Sequence, residues 1–165
     1  MKRNLVKLMK TTLLLVGKTV DKHFVALIDD YVERTKHYLG FEVEVIPDLK
    51  NNKNLSEEQQ KEKEGELILK ALQPADYVVL LDEGGKEMRS VEFAQYMRHK
   101  MNTVSKRLVF IIGGPYGFSE KVYQIAAEKM SLSRMTFSHQ MVRLIFVEQL
   151  YRALSILAGS PYHHE

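Results

Sequence analysis

The sequence has 165 residues, of which 45% are hydrophobic and 27% are charged, proportions that are typical of one folded globular domain. It contains no cysteine, which excludes a disulfide framework, a thiolate metal site and a cysteine nucleophile. The net charge of +3 permits a nucleic-acid partner without requiring one, because such a partner needs clustered basic residues.

The N-terminal segment does not predict a secretion signal. Its unbroken apolar run covers only residues 13–16, and Lys18 and Asp21 follow where a cleavage site would lie. No later stretch has the length of a membrane span. We therefore expect a cytoplasmic protein with no membrane partner, consisting of a single domain over residues 1–165. Residues 1–8 could be an N-terminal extension or a basic arm that contacts RNA, and we favour the extension.

Strand and helix patterns alternate along the whole chain. Apolar runs predict strands at 11–16, 41–46, 77–82, 107–112 and 132–135, and helical spacing predicts helices at 21–39, 56–72, 90–101, 119–130 and 138–159. Alternating apolar and acidic side chains at 41–46 favour a half-exposed strand near an edge. Repeated strand-helix units predict an α/β fold, with a mostly parallel sheet covered by helices on both faces.

Gly17-Lys18-Thr19 follows the first strand and is similar to the end of a phosphate-binding P-loop. The first glycine of that motif would have to stand where this chain has Thr12, inside the strand. The P-loop interpretation is therefore rejected, and Gly17 is predicted to be an ordinary turn.

The glycine turn Gly113–Gly117 differs from a dinucleotide-binding fingerprint in its spacing. Pro115 removes a backbone donor from this turn, and Arg134 stands about where an acidic residue would be needed to hold a ribose hydroxyl. A nicotinamide-dependent oxidoreductase is therefore disfavoured. The turn nevertheless exposes backbone that a flat ligand can approach closely, because glycine has no side chain.

Asp82 and Glu83 follow the third strand, at the end of a parallel sheet where ligands usually bind. They could form an acid-base or metal site, or simply a polar loop. Since there is no second acidic cluster and the histidines are scattered, we predict no metal site.

Three segments together resemble the RlmH family, small SPOUT-class methyltransferases that modify a pseudouridine of large-subunit ribosomal RNA. They are "FIIGGPYGFSE" (110–120), "SLSRMTFSHQMVRLIFVEQLYRA" (131–153) and "GSPYH" (159–163). The resemblance runs from Met9 to the C-terminus and includes "LLLVGK", "KEGE" (63–66) and Leu81-Asp82. Where the family usually has a proline before the histidine, this chain has Ser138, which can cap the following helix.

The resemblance implies S-adenosylmethionine as methyl donor, transfer to N3 of a pseudouridine, ribosomal RNA or the ribosome as partner, a homodimer and a C-terminal trefoil knot. The donor site that it implies comprises Leu81, Gly113, Leu132, Ser133, Arg134, Met135, Thr136 and Phe137. It also implies four residues that face the nucleotide, the candidates for catalysis: Glu148, Arg152, Tyr162 and His163.

Transfer of a methyl group from a sulfonium is an in-line displacement that requires no metal, so the protein's main task is alignment. The N3 proton of the acceptor must leave, and His163 or Glu148 could assist. Arg143 and Arg152 could contact phosphate or base, or pair with Glu148. In a dimer, the tail of one subunit could complete the site of the other. The alternative function is a non-catalytic ribosome-binding or assembly protein with the same fold.

Overall fold

The computed structural model describes residues 9–50 and 52–164, so the predicted extension at residues 1–8 lies outside the described residues. Strands and helices alternate in the order that the sequence predicts. The strands are β1 (Lys10–Val16), β2 (Gly40–Ile46), β3 (Tyr77–Glu87), β4 (Arg107–Ile112) and β5 (Glu128–Ser131). The helices are α1 (Lys22–Lys36), α2 (Glu57–Ala71), α3 (Ser90–Thr103), α4 (Glu120–Ile125) and α5 (His139–Leu157), with a 3-10 turn at Asn52–Asn54.

The strands form one sheet in the order β2-β1-β4-β3-β5, and each neighbouring pair is parallel. All residues of the central strand β4 are buried, as expected for a strand that is covered on both faces. β2 lies at an edge of the sheet, which confirms the prediction from its alternating pattern.

Two apolar cores lie on opposite faces of this sheet, because successive side chains of a strand point in opposite directions. Leu13 and Leu15 of β1 pack with apolar residues of α1, α3 and α5. Leu14 and Val16 pack instead with residues of α2 and α4. This arrangement confirms the predicted α/β class with helices on both faces.

Side-chain caps begin several helices where the sequence predicts them. Ser56 and Gln59 form a reciprocal capping box at the start of α2. Ser138 Oγ accepts a hydrogen bond from the backbone N–H of Met141 at 3.2 Å and caps α5. The serine that replaces the family's proline therefore fixes the start of this helix.

The predicted helix at 119–130 begins as expected but is too long, and the predicted strand at 132–135 is wrong. The helix ends at Ile125, and β5 begins at Glu128. The backbone N–H of Ala127 donates to the carbonyl of Val78 at 2.9 Å, and β5 then pairs with β3. Pairing with the sheet thus overrides the local helical pattern, and residues 132–135 become a loop.

Two further boundaries differ from the predictions. β3 continues to Glu87 instead of ending at residue 82, with a shift in its pairing to β5 between Leu81 and Lys86. A Cβ at Gly85 would lie 2.6 Å from backbone atoms of Met130, so glycine permits this close approach. Ser90 is the first residue of α3 and not its cap, and its hydroxyl donates to Gln149 Oε1 of α5 at 2.7 Å.

A buried ion-pair network ties the first residue of β4 to its neighbours. Arg107 donates to Asp76 Oδ2 at 2.6 Å and to Glu44 Oε1 at 3.0 Å, and the side chains of Arg107 and Asp76 are only 6% and 3% exposed. The hydrogen bond to Asp76 is the main cause of a raised pKa of Arg107.

No helix in the described residues is long and apolar enough to cross a membrane.

Replacing Arg107 with alanine is expected to lower the free energy of unfolding by about 3–5 kcal/mol, because the carboxylate of Asp76 stays buried without its partner. Urea denaturation at fixed protein concentration measures this loss. The control is Lys36→Ala, which removes an exposed pair with Glu33 and should cost less than about 1 kcal/mol. Equal losses of unfolding free energy in the two variants would contradict a stabilising role of the buried Arg107 network.

Candidate active site

The carboxyl ends of β3 and β4 and the loop between β5 and α5 enclose a cleft of about 620 Å³, a volume within the usual range for a small-molecule site. Strands of a parallel sheet all end at the same edge, which is why these segments meet. The residues that line it are Leu81, Asp82, Glu83, Gly84, Ile112, Gly113, Gly114, Pro115, Gly117, Phe118, Ser131, Leu132, Ser133, Met135, Thr136, Phe137, His139 and Val142.

The structure brings together in this cleft all but one of the residues expected at the donor site. Leu81 lies at the end of β3, Gly113 lies at the end of β4, and five residues of the 132–137 loop complete the set. Arg134 is the exception, since its side chain is 92% exposed and pairs with Glu87 at 2.8 Å. A donor-binding role for Arg134 could therefore come only from its backbone.

The glycine turn forms one wall of the cleft. A Cβ at Gly113 would lie 3.0 Å from Cε1 of Phe118, so a larger residue would displace that ring or narrow the cleft. Gly117 has a φ of +82° and its N–H donates to the carbonyl of Gly114 at 3.2 Å, closing a tight turn. The turn thus requires glycine for its own geometry as well as for access.

Hydrogen bonds fix the opposite wall, the 132–137 loop. Ser131, the last residue of β5, donates through Oγ to the carbonyl of Ser133 at 2.9 Å, and within the loop Ser133 Oγ accepts from the N–H of Met135 at 3.0 Å. Thr136 Oγ1 also donates to Glu83 Oε1 at 3.3 Å, which links the loop to the end of β3. The loop is therefore preorganised against the strand that forms the rest of the cleft.

The charges that line the cleft are acidic. Asp82 accepts hydrogen bonds from the Tyr123 hydroxyl and from the N–H of Gly84. Burial, together with this contact to Asp82, raises the pKa of Tyr123 to about 12. Burial and the positive charge of Arg143 lower the pKa of His139, which favours its neutral form. Such a lining suits a cationic ligand better than a phosphate.

Arg143 is a buried residue in the second turn of α5. This residue is only 2% exposed, and its guanidinium donates to the carbonyl of Val16 at 2.8 Å and to Thr19 Oγ1 at 3.0 Å. Burial lowers its pKa. In the structure Arg143 therefore joins α5 to the end of β1, and its guanidinium is neither paired with Glu148 nor exposed to solvent.

The four candidate catalytic residues form a second polar cluster, which we call the tail cluster: Glu148, Arg152, Tyr162 and His163. Arg152 donates to Glu148 Oε1 through Nη2 at 2.6 Å and through Nε at 3.1 Å, and the Tyr162 hydroxyl donates to the same oxygen at 3.1 Å. Burial and a hydrogen bond with Tyr31 raise the pKa of Tyr162, which keeps this phenol neutral. Arg152 in turn has a raised pKa, chiefly because of Glu148.

The contact of His163 with Arg152 fixes the tautomer of the histidine. Arg152 Nη1 lies 3.1 Å from His163 Nδ1, and because a guanidinium can only donate, Nδ1 must accept. The proton of a neutral His163 is then on Nε2, which is buried and has no partner in the part of the chain that the structure describes. His163 therefore presents a hydrogen-bond donor.

The tail cluster and the cleft are separated along α5. His139 at the start of the helix lines the cleft, whereas Glu148 and Arg152 lie nine and thirteen residues further on, about 13 and 20 Å along the axis at 1.5 Å per residue. Within the described residues, the cleft lining includes no member of the tail cluster. In a single copy of the chain, the tail cluster is therefore distant from the cleft.

Sequence reasoning left several lining residues unassigned. The position of Asp82 and Glu83 at the carboxyl end of a strand indicated a ligand site, although the sequence left open whether they form an acid-base or metal site or a polar loop. Nothing in local spacing indicated that Phe118, His139 or Val142 would reach the cleft, because their place depends on how the loops fold back.

Comparison with known proteins gives the family. The sequence pattern described as "Predicted SPOUT methyltransferase" matches residues 9–163. The chain is 73% identical over 157 residues to ribosomal RNA large subunit methyltransferase H of Bacteroides thetaiotaomicron, a match that covers 95% of this chain and all of the relative. Identity to the protein of the same name from Christiangramia forsetii is 60% over 156 residues, covering 94% of this chain and 99% of the relative.

Solved structures share the fold at low sequence identity. A probable methyltransferase from Bordetella pertussis superposes with a TM-score of 0.54 at 11% identity, covering 91% of this chain and 96% of the other. A probable methylase family protein from Haemophilus influenzae gives a TM-score of 0.53 at 10% identity, covering 93% of this chain and 67% of the other. The match to the family pattern and the long, highly identical matches show that this chain belongs to the RlmH family of SPOUT methyltransferases.

Proposed function

We propose that the protein uses S-adenosylmethionine to methylate N3 of a pseudouridine in large-subunit ribosomal RNA. The observation that carries the proposal is the cleft, in which seven of the eight residues expected at the donor site meet between β3, β4 and the 132–137 loop. Membership of a family whose curated relatives are named as large-subunit ribosomal RNA methyltransferases supports the substrate class. Action on ribosomal RNA would place the protein in the cytoplasm.

The residues of the cleft fit the proposed donor. Leu81, Leu132, Met135 and Phe137 offer apolar surface for the faces of an adenine, while backbone of the 132–137 loop and Gly113 can bind its polar edge. The acidic lining favours a ligand with a positive charge. When bound, S-adenosylmethionine supplies an electrophilic methyl group, and the walls of the cleft hold it in place and exclude water.

The tail cluster provides donors for the acceptor base. Glu148 accepts hydrogen bonds from Arg152, Tyr162 and Gln149, so we assign it the role of orienting the cluster rather than that of accepting the N3 proton. His163 Nε2, which is buried in a single copy of the chain, would become accessible when the acceptor binds and would then donate to a carbonyl oxygen of the base. The positive charge of Arg152 would favour loss of the N3 proton, because a nearby cation stabilises an anion.

A homodimer would bring the tail cluster and the cleft together, although they are separated within one chain. In our proposal the tail cluster of one subunit lies over the cleft of its partner, so that each of the two sites contains residues of both chains. The C-terminal trefoil knot that the resemblance implies is part of the same proposal. The alternative, a non-catalytic ribosome-binding protein with this fold, does not account for a preorganised acidic cleft.

Deletion of the gene is expected to remove one methyl group from a pseudouridine of large-subunit ribosomal RNA. Mass spectrometry of nuclease digests from deleted and complemented cells measures this change. An unchanged methylation pattern would contradict the proposed reaction and favour the non-catalytic alternative.

Replacing Gly113 with valine is expected to weaken S-adenosylmethionine binding by about 10- to 100-fold, since the new side chain must compete with Phe118 for space in the cleft. Isothermal titration calorimetry measures the affinity. The control Gly40→Ala places a methyl group where nothing lies within 4 Å and should bind the donor normally. Normal binding by Gly113→Val would contradict the assignment of the cleft.

Replacing His163 with alanine is expected to leave donor affinity unchanged and to lower methyl transfer by about 100-fold, the usual effect of losing one preorganised donor. Transfer of tritiated methyl groups to ribosomes from the deletion strain measures turnover. His164→Ala, a change at the exposed neighbour, should retain activity. Equal loss of donor binding in His163→Ala and Gly113→Val would refute the division of roles.

A further inference from the structure

Glu64 is a buried acid on α2 to which the proposed reaction assigns no role. It belongs to the "KEGE" segment, and the residue is only 4% exposed. Its Oε1 atom has no hydrogen-bond partner among the residues that the structure describes. A carboxyl group in such a position is costly to keep, so its place in the fold requires an explanation.

The carboxyl group lies directly beneath the glycine turn. A Cβ at Gly114 would lie 2.5 Å from Oε2 and 2.6 Å from Oε1 of Glu64, so only glycine leaves room for both. Gly114 also lines the cleft. Gly114, which has no side chain, therefore lies against the carboxyl group of Glu64 and also forms part of the cleft wall.

The next residue fixes this arrangement. A Cβ at Gly65 would overlap the hydroxyl of Ser119, and Ser119 is the N-cap of α4, which follows the glycine turn. The absence of a side chain at Gly65 lets α2 approach that cap closely. Glu64 and Gly65 of α2 therefore pack against the turn between β4 and α4.

The groups that face Glu64 do not compensate a negative charge. Burial is the main cause of its raised pKa, and Asp48 after β2 raises it further, while a hydrogen bond from Gln60 on the same helix opposes both. α4 presents the uncharged Ser119 and Val122 to this part of α2. Across the cleft, the charged lining residues are the acids Asp82 and Glu83. Asp48 itself interacts with the buried Arg143, whereas no positive charge contributes to the pKa of Glu64. A cation in the cleft would supply one.

We propose that Glu64 is a positioning residue that distinguishes the cationic methyl donor from its product, which carries no charge on sulfur. This inference rests on the proposed function, in which the cleft holds S-adenosylmethionine. Glu64 releases its proton to solvent when the sulfonium enters, and its carboxylate then stabilises the bound cation. After methyl transfer the sulfur is a neutral thioether, so Glu64 takes a proton back from solvent and the extra stabilisation is lost.

The sign of the pH dependence follows. The carboxyl group gains its charge as pH rises through its raised pKa, so affinity for S-adenosylmethionine should increase with pH across that range. Affinity for S-adenosylhomocysteine should lack this component. The two ligands have their other ionisable groups in common, and comparison with a variant that lacks the Glu64 carboxyl group separates the contribution of Glu64 from theirs.

Calorimetry of the full-length protein in buffers of different ionisation enthalpy counts the protons released on binding. Across the pH range in which the carboxyl group of Glu64 ionises, we expect S-adenosylmethionine to release more protons than S-adenosylhomocysteine. In Glu64→Gln, which keeps the size of the side chain, this excess should vanish. The affinity for S-adenosylmethionine should fall about fivefold at the upper end of the range, while that for S-adenosylhomocysteine should not change.

Glu66→Gln is the matched control, because Glu66 is an exposed acid on the same helix, and it should behave as the wild type. Equal proton release for both ligands in the wild-type protein would overturn the inference without the need for a folded variant. Equal weakening of both ligands in Glu64→Gln would show a purely structural role and also overturn it. Failure of the wild type to bind S-adenosylmethionine at all would instead reject the proposed function.

Discussion

The parallel pairing of β5 with β3 is the constraint on which the candidate site depends. It ends α4 at Ile125 and turns the following residues into a strand. The 132–137 loop then lies at the edge of the sheet where β3 and β4 also end, opposite the glycine turn that the pairing of β4 with β3 places there. Glycine at position 85 makes this pairing possible, because any side chain there would collide with the backbone of Met130.

The same pairing determines where α5 begins, and the length of that helix carries the tail cluster away from the cleft. Ser138 caps the helix beside the cleft, and Arg143 fastens its second turn to the end of β1. A rigid helix cannot bend Glu148 and Arg152 back toward the ligand. The proposed composite site in a homodimer is therefore a consequence of helix geometry together with the chemistry of the two groups.

Sequence patterns predicted most of the fold and much of the cleft. Apolar runs identified four strands and the edge position of β2, and the caps at Ser56 and Ser138 were correctly placed. The strand at 128–131 was missed because its sequence is compatible with a helix and only contact with β3 decides between them. Glu64 and Arg143 could not be assigned from spacing, since burial beneath the glycine turn and against β1 arises from tertiary packing. The resemblance implied the 132–137 loop as part of the donor site but could not show that the side chain of Arg134 is exposed to solvent.

We propose that each active site combines the cleft of one subunit with the tail cluster of the other. Co-expression of differently tagged Gly113→Val and His163→Ala chains, followed by tandem purification, yields a heterodimer in which one composite site has both changes and the other has neither. Measured methyl transfer to ribosomes should reach about half of the wild-type rate, far above that of either variant homodimer, as one intact site of two requires. Activity no higher than that of the homodimers would show that cleft and tail act within one chain, and would contradict the account.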